Sequence, residues 1–184
     1  MNVALLSIDI QMNYFPGGSL ELERPLEAAR AAARLIAAFR ERGLPVVHIH
    51  HVSGVEKTGI VSPIPEKSRI HELVAPLPGE IVLPKGHINS FRGTGLEALL
   101  RARMVDRLVV MGMMTNMCVE AAARQAVDLG FDCTVAADAC AARAWSWGGR
   151  AVDAADAHAA ALAAIEFGYA KVRLADEIVA SLEG

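Results

Sequence analysis

Short apolar runs alternate with longer segments of helical periodicity about six times along the chain, without internal repeats or linkers. Apolar residues that recur at helical spacing predict helices, whereas short continuous apolar runs predict buried strands. The predicted strands are residues 3–8, 45–51, 81–83, 107–111, 132–137 and 169–174, and the predicted helices are residues 26–42, 95–103, 118–130 and 151–167, followed by a short C-terminal helix. This alternation predicts an α/β fold with three α/β/α layers and a central, mostly parallel six-stranded sheet. We expect residues 1–184 to form a single domain.

Composition argues against several classes of function. A net charge of −3 gives no basic surface for nucleic acid. No apolar run approaches the roughly 20 residues that cross a bilayer, and the N-terminus lacks the basic segment of a signal peptide. Three cysteines without a CxxC pair do not make a disulfide framework. We therefore expect a cytoplasmic protein that binds neither nucleic acid nor membranes.

Three chemically useful side chains follow predicted strands directly. Asp9 follows the first strand, Lys85 the third, and Cys118 lies just beyond the fourth. In a parallel sheet, the carboxyl ends of the strands lie at one edge, and ligands bind there. Although an aspartate after a strand can form a turn and a lysine at a strand end is ordinarily solvated, the three together predict a site.

Cys118 lies where a helix is expected to begin. Thr115 can act as the N-cap, which places Cys118 in the first helical turn. The unpaired N–H groups and the helix dipole there favour a thiolate over a thiol. The alternative is that Cys118 is a small buried hydrophobe, as free cysteines usually are. We expect Cys133, in a strand, and Cys140, in a loop, to be structural.

The second strand contains three histidines, His48, His50 and His51. His48 and His50 share one face of the strand, which invites a metal interpretation. A zinc site needs further ligands, and no carboxylate near these histidines in sequence has suitable spacing. We therefore predict packing or a hydrogen bond at the pocket wall. His158 falls on the apolar face of a helix, and we expect it to be a hydrogen-bonded core residue.

Three other segments each have a structural and a functional interpretation. Gly93-Thr94-Gly95 begins a match to a dinucleotide-binding pattern, but it does not follow a strand directly. Thr94 and Glu97 are better explained as a capping box for the next helix. Residues 53–78 are irregular, and a loop of that length could cover a pocket. Trp145 and Trp147 fall in a predicted loop, where they could wall a pocket or an interface.

Several short motifs, each weak alone, occur in an order and spacing that are specific together. They are Asp9-Ile10-Gln11, Phe15-Pro16-Gly17-Gly18, Lys85, Ser90-Phe91-Arg92-Gly93-Thr94-Gly95-Leu96, Gly112-Met113-Met114-Thr115-Asn116-Met117-Cys118-Val119, Gly130 and Asp138. On these motifs, nearly the whole chain resembles the isochorismatase-like cysteine hydrolase family. That family includes nicotinamidases, N-carbamoylsarcosine amidohydrolase and ureidoacrylate amidohydrolase.

The resemblance implies a catalytic triad of Asp9, Lys85 and Cys118. It also implies a cis peptide bond between Met113 and Met114, with the backbone N–H groups of Met114 and Cys118 forming an oxyanion hole. The implied reaction is hydrolysis of a C–N bond in a small amide or ureido substrate, through a covalent thioacyl-enzyme and without a cofactor. Relatives are commonly homo-oligomers, so the same is expected here.

The substrate-binding residues are less well defined. The resemblance suggests that Tyr14 and Phe91 lie near the substrate, with core packing as the alternative. Asn13 occupies a position where relatives have a polar residue, and its role is open.

The sequence also departs from parts of the family. Metal-dependent nicotinamidases have an Asp-x-His pair after the second strand, where this chain has His51 and Ser53. The resemblance therefore predicts no metal. Isochorismatases proper cleave a vinyl ether and do not need a thiol, so Cys118 favours the amidohydrolase branch. Vinyl-ether hydrolysis, and a non-enzymatic binding or scaffold role, are the alternative functions.

Overall fold

The computed structural model describes residues 2–52 and 66–182. The strands are Val3–Ile8 (β1), Val46–His51 (β2), Ile81–Lys85 (β3), Arg107–Met113 (β4), Asp132–Ala141 (β5), Trp145–Trp147 (β6), Arg150–Val152 (β7) and Lys171–Arg173 (β8). The helices are Pro25–Glu41 (α1), Leu96–Ala102 (α2), Glu120–Asp128 (α3), Ala154–Gly168 (α4) and Ala175–Ser181 (α5). A π-helical turn, Thr115–Val119, joins β4 to α3.

Six of these strands form one parallel sheet in the order β3-β2-β1-β4-β5-β8. Helix α1 contacts α5, and helix α3 contacts α4. Helices flank the sheet, so the predicted three-layer α/β fold is confirmed. The chain builds outward from β1 to β3 and then returns to place β4 on the other side of β1. In α/β proteins, ligands bind at the carboxyl ends of the strands where such a reversal occurs. We call this region, at the carboxyl ends of β1 and β4, the crevice.

Continuous apolar sequence explains the two central strands. All six residues of β1 are buried, as are the six residues of β4 that follow Arg107. Strands covered by helices on both faces are apolar along their whole length rather than at alternate positions. Helix α1 begins with Pro25 in its first turn and packs alanines, Leu35, Ile36 and Phe39 into the core. The residues that follow β1 and β4 are therefore held on a rigid base.

Residues 141–152 differ from the prediction. The segment predicted as a loop contains the antiparallel hairpin of β6 and β7, with Trp147 85% exposed and Trp145 39% exposed. Helix α4 consequently starts at Ala154, where Asp153 accepts a hydrogen bond from the N–H of Asp156 at 2.7 Å. Strand β5 runs through Ala141, so Cys140 lies in a strand and the prediction of a loop there was wrong.

The start of α2 also differs from the prediction. Gly95, with φ of 72°, is the N-cap residue, and no side chain caps the helix. The hydroxyl of Thr94 accepts a hydrogen bond from the N–H of Leu96 at 3.2 Å, which forms a local turn instead of a capping box with Glu97. Glycine supplies the left-handed backbone that this entry requires.

Among the described residues, every helix is too short or too polar to cross a lipid bilayer.

Candidate active site

Asp9 and Lys85 form a buried ion pair. Asp9 follows β1, Lys85 ends β3, and both side chains are fully buried. The Lys85 Nζ lies 2.7 Å from Asp9 Oδ2 and donates a hydrogen bond to the carbonyl of Ile88 at 2.7 Å. The other carboxylate oxygen, Oδ1, has no hydrogen-bond partner among the described residues. The Lys85 ammonium therefore offsets the charge at Oδ2, and Oδ1 can accept a proton.

Cys118 lies near Asp9 as well, in the turn that follows β4, the neighbour of β1 on the side opposite β2. Its sulfur lies within 4.8 Å of a carboxylate oxygen of Asp9 and of a ring nitrogen of His51. Met114, rather than the predicted Thr115, is the N-cap residue of the π-helical turn. The hydroxyl of Thr115 instead shares a hydrogen bond of 2.8 Å with Nδ1 of His158.

That contact explains the role of His158, which is half-buried on α4. Sequence predicted a hydrogen-bonded core histidine, and the bond to Thr115 confirms that it has a partner. Because Thr115 opens the turn that contains Cys118, the bond fixes this turn against α4.

A glycine allows β1 and β4 to approach each other beside the site. Gly112 pairs with Ile8, and its φ of 135° is accessible to glycine but strained for other residues. A Cβ atom at Gly112 would lie 2.0 Å from the carbonyl oxygen of Ile8. One residue later, the peptide bond between Met113 and Met114 is cis.

Burial dominates the electrostatics of both reactive groups. It raises the pKa of Asp9 above its usual value, against the opposing effect of Lys85. Burial, followed by the charge of Asp9, raises the pKa of the Cys118 thiol to about 12. Desolvation outweighs the opposing effect of Lys85, so the pKa of Cys118 favours a thiol rather than the thiolate that its place in the helical turn predicts. At neutral pH the sulfur is a thiol next to a carboxylate whose basicity is increased.

The other two cysteines lie in β5. Cys133 and Cys140 are buried, and burial raises the pKa of each thiol to about 12. The thiol of Cys140 donates a hydrogen bond to the carbonyl of Ala136 at 3.2 Å. These contacts are consistent with the structural role predicted for both residues.

The three histidines of β2 have different surroundings. Nε2 of His48 lies 3.1 Å from Glu80, which also pairs with Arg40 at 2.8 Å. Nε2 of His50 lies 2.7 Å from the carbonyl of Ser68. Of these three, His51 is the one whose ring nitrogen lies near Asp9 and Cys118. It was missing from the predicted site residues, and the available signal was its place at the end of β2, opposite Lys85 in register.

Gln11 fixes the backbone of His51. Its side-chain amide accepts a hydrogen bond from the N–H of His51 at 2.9 Å and donates one to the carbonyl of the same residue at 3.1 Å. It also donates to the carbonyl of Ser68 at 2.7 Å. This buried amide therefore ties the end of β2 to the segment that follows β1.

The predicted substrate-binding residues have mixed surroundings. Tyr14 is buried, and its phenol pKa is raised first by burial and then by the charges of Asp9 and Cys118. Phe91 is half-buried, with its ring centroid 6.3 Å from that of Phe131, as expected for core packing. Asn13 is half-buried, and its Oδ1 has no hydrogen-bond partner within residues 2–52 and 66–182.

A separate cavity of about 350 Å³ lies between α1, the end of β5 and the start of α4. Arg34, Asp138 and His158 contribute to its walls, whereas the predicted triad does not. Asp138 is held there by hydrogen bonding to the N–H of Ala175 at 2.7 Å. This cavity is distinct from the crevice at the ends of β1 and β4.

One group of side chains at the crevice could hold a metal ion. Asp9, His51 and Cys118 each offer one donor atom, and these three atoms lie within 4.8 Å of one another. The carboxylate of this group, Asp9, follows β1 and is therefore distant in sequence from the histidines of β2. The histidine of the group is His51, not His48 or His50.

Comparison with known proteins identifies the family. A family profile described as an isochorismatase domain matches residues 3–177. The chain belongs to the isochorismatase family. Isochorismatase family protein YddQ of Bacillus subtilis (strain 168) is 42% identical over 173 residues, which cover 94% of this chain and 96% of that protein. The relatives of this chain that are named after an activity are hydrolases, so the chain is an isochorismatase-family hydrolase.

Two further relatives of this isochorismatase-family hydrolase are similar in sequence or structure. Maleamate amidohydrolase of Pseudomonas putida KT2440 is 35% identical over 142 residues, which cover 70% of this chain and 67% of that protein. The crystal structure of a cysteine hydrolase from Pseudomonas syringae pv. phaseolicola 1448A superimposes with a TM-score of 0.91 at 25% identity, covering 99% of this chain and 92% of that one.

Proposed function

We propose that this hydrolase cleaves a C–N bond of a small amide or ureido substrate, with Cys118 as the nucleophile. The observation that supports this most directly is the meeting of a buried Asp9–Lys85 ion pair with the sulfur of Cys118 at one crevice. A carboxylate, an ammonium and a thiol supply a base, a compensating charge and a nucleophile. The similarity to maleamate amidohydrolase points to the same kind of bond.

Acylation starts from the thiol. Asp9 accepts the thiol proton while the sulfur of Cys118 attacks the carbonyl carbon, forming a C–S bond and a tetrahedral oxyanion. The oxyanion collapses, the C–N bond breaks, and the proton on Asp9 passes to the departing nitrogen. Ammonia or an amine leaves, and the acyl group remains on the sulfur as a thioester.

Deacylation uses the same carboxylate again. Asp9 takes a proton from a water molecule, whose oxygen attacks the thioester carbonyl. The C–S bond breaks, the carboxylic or carbamic acid is released, and the proton returns to the sulfur of Cys118. The raised pKa of Asp9 supports both half-reactions, because a more basic carboxylate accepts a proton from a thiol or a water more readily.

Lys85 stabilises negative charge at each stage. It keeps the buried Asp9 carboxylate ionised before attack, and it offsets the charge on the sulfur afterwards. Its ammonium is fixed by the carbonyl of Ile88, so it needs little reorganisation during the reaction.

The oxyanion would be held by the backbone N–H groups of Met114 and Cys118. The turn that contains Cys118 begins a helical segment, and the first N–H groups of a helix have no acceptor within it. Such donors, fixed before the reaction, stabilise charge that develops in the transition state.

Tyr14 and Asn13 are the side chains we assign to substrate binding. The effect of the Asp9 and Cys118 side chains on the pKa of Tyr14 supports a place for its phenol near them, at the pocket wall. The unpartnered Asn13 Oδ1 could accept a hydrogen bond from a substrate amide. Phe91 would act at most as an apolar wall, given its packing against Phe131.

A screen of small amides and ureido compounds for release of ammonia tests the proposal, with Cys118→Ala beside Cys133→Ala as the matched control. We expect at least one substrate, with turnover lost in Cys118→Ala and kept in Cys133→Ala. Iodoacetamide should label Cys118 far faster than Cys133 or Cys140 near neutral pH, because the sulfur of Cys118 lies within 4.8 Å of a carboxylate oxygen of Asp9 and a ring nitrogen of His51. Ammonia release that survives in Cys118→Ala would contradict Cys118 as the nucleophile. Cleavage of a vinyl ether that survives in Cys118→Ala would favour vinyl-ether hydrolysis, and no turnover of any compound would favour a binding or scaffold role.

A further inference from the structure

Three potential metal ligands reach the crevice from three different segments. Asp9 follows β1, His51 ends β2, and Cys118 lies in the turn after β4, with one donor atom of each within 4.8 Å of the other two. Asp9 and Cys118 are buried, and His51 is half-buried. Buried donor atoms have lost most of their hydrating water. Binding an ion therefore lowers their free energy more than it would for exposed side chains.

We propose that Asp9, His51 and Cys118 bind a zinc ion and that this ion switches the hydrolase off. Thiolate, imidazole and carboxylate are the donors that Zn²⁺ takes in proteins, almost always in tetrahedral geometry. Three protein ligands leave the fourth position open to water or another small ligand.

The ion pair with Lys85 leaves one carboxylate oxygen for the ion. Lys85 occupies Oδ2 of Asp9, whereas Oδ1 is buried and unpartnered in the described part of the chain. On binding, Zn²⁺ forms a bond to the sulfur of Cys118 and the thiol proton leaves to solvent, so the site gains one net positive charge. No oxidant or reductant is needed. Because the Lys85 ammonium remains nearby, binding should be reversible and weaker than in a structural zinc site.

Gln11 holds the histidine ligand in place. Its side-chain amide bonds both the N–H and the carbonyl of His51, which fixes the backbone at the end of β2. The imidazole starts from a fixed backbone position beside Asp9 and Cys118. The donor set therefore needs little rearrangement before it meets an ion.

Inhibition follows from the roles of two ligands. An ion on the sulfur of Cys118 blocks its attack, and an ion on Asp9 prevents the carboxylate from accepting a proton. This inhibition rests on the proposed amide hydrolysis, whereas binding of the ion does not. The two statements can therefore be tested apart.

Cobalt(II) is a suitable probe, because cobalt coordinated by a thiolate gives a ligand-to-metal charge-transfer absorption in the near ultraviolet. The full chain is freed of metal with a chelator, titrated with Co²⁺ and then with Zn²⁺ as a competitor. The variants are Cys118→Ser and His51→Ala. The matched controls are Cys133→Ala and His87→Ala, because His87 is half-buried like His51 and neither control residue belongs to the ligand group. Circular dichroism checks the fold of each.

We expect one equivalent of Co²⁺ to produce the absorption in the wild type and both controls, and Zn²⁺ to displace it. The absorption should be absent in Cys118→Ser, and the affinity should fall by roughly tenfold or more in His51→Ala. Failure to see the absorption in the wild type, or equal affinity in a folded His51→Ala protein, would overturn the site. Hydrolysis measured with chelator and with Zn²⁺ then tests inhibition, and equal rates in both would overturn it. If the metal-free enzyme cleaves no amide, the proposed function fails while the cobalt titration still decides the site.

Discussion

The Nζ atom of Lys85 lies 2.7 Å from Oδ2 of Asp9, and neither side chain reaches solvent. The two residues come from β3 and β1, which are separated in the sheet by β2. Removing two charges from water is costly, and their attraction offsets the cost only while both are present. The pair is therefore a sensitive point for stability as well as for the proposed chemistry.

Replacement of Lys85 alone should be more harmful than replacement of both partners. We expect Lys85→Met to lower the free energy of unfolding by about 3–5 kcal/mol, because it leaves a buried carboxylate unpaired. Adding Asp9→Asn should restore much of that loss, although neither protein should turn over amides. Urea denaturation of the two single variants and the double variant measures the coupling.

The exposed pair of Lys171 and Asp132, 3.2 Å apart, serves as the control for that cycle. Its coupling should be within about 1 kcal/mol of zero, since surface pairs are screened by water and salt. A buried coupling no larger than this one would contradict our account of Asp9 and Lys85.

The pH dependence of the reaction should follow Asp9 rather than a free thiol. Because Asp9 must be ionised to act as the base, kcat/KM should rise with pH through a pKa that burial has raised above 3.8. Because burial holds the pKa of Cys118 at about 12, the rate should then stay level at mildly alkaline pH. Initial rates across the pH range test this, and a second rise between about pH 8 and 9, where ordinary thiols ionise, would contradict it.

Gly112→Ala should disrupt the junction of β1 and β4. The added Cβ would lie 2.0 Å from the carbonyl oxygen of Ile8, so the strands must move apart. We expect a loss of more than about 4 kcal/mol, or failure to fold. Gly43→Ala is the matched control, because Gly43 also has positive φ but open space around it, and should cost about 1–2 kcal/mol. Thermal unfolding of both variants measures the difference, and equal losses would mean that the close approach is unimportant.

Glu80 should make the fold sensitive to acid. Hydrogen bonds from Arg40 are the main cause that lowers its pKa from 4.5 to about 2. A carboxylate whose folded pKa is depressed adds stability above pH 4.5 and loses it as pH falls through about 2. Glu80→Gln should therefore remove up to about 3 kcal/mol at neutral pH and flatten the dependence of stability on pH in that window.

Urea midpoints measured from pH 2 to 7 would test this prediction, with the exposed Glu97→Gln as control. If Glu80→Gln kept the acid dependence of the wild type between pH 4.5 and about 2, the stabilising role assigned to Glu80 would be wrong.

The parts of the fold that sequence predicted are those with strong local signals. The buried runs of β1 and β4 are apolar along their length, and α1 has a regular apolar stripe, so their type was clear. The hairpin of β6 and β7 was not predicted because each strand is only 3 residues long and exposed, too short for a periodic pattern. Strand β5 was predicted too short because Asp138 resembles a terminating residue, although hydrogen bonding to Ala175 satisfies its carboxylate.

The site was predictable to the extent that topology alone determines it. Parallel strands bring their carboxyl ends together, which was enough to associate Asp9, Lys85 and Cys118. Sequence could not show that His51, rather than His48, lies near them, because that depends on the register between β2 and its neighbours. The protonation state of Cys118 depends on burial, which spacing along the chain does not reveal.

Lys85 ends a strand that is bonded on one side only, since β3 lies at the margin of the described sheet. Margins of a sheet fray at a lower energetic cost than its interior does. Of the three residues in the proposed triad, Lys85 is therefore the one on an edge strand. Mild denaturant should abolish activity while β1 and β4 are still folded. Activity would therefore be lost at a lower denaturant concentration than any spectroscopic signal of the whole fold.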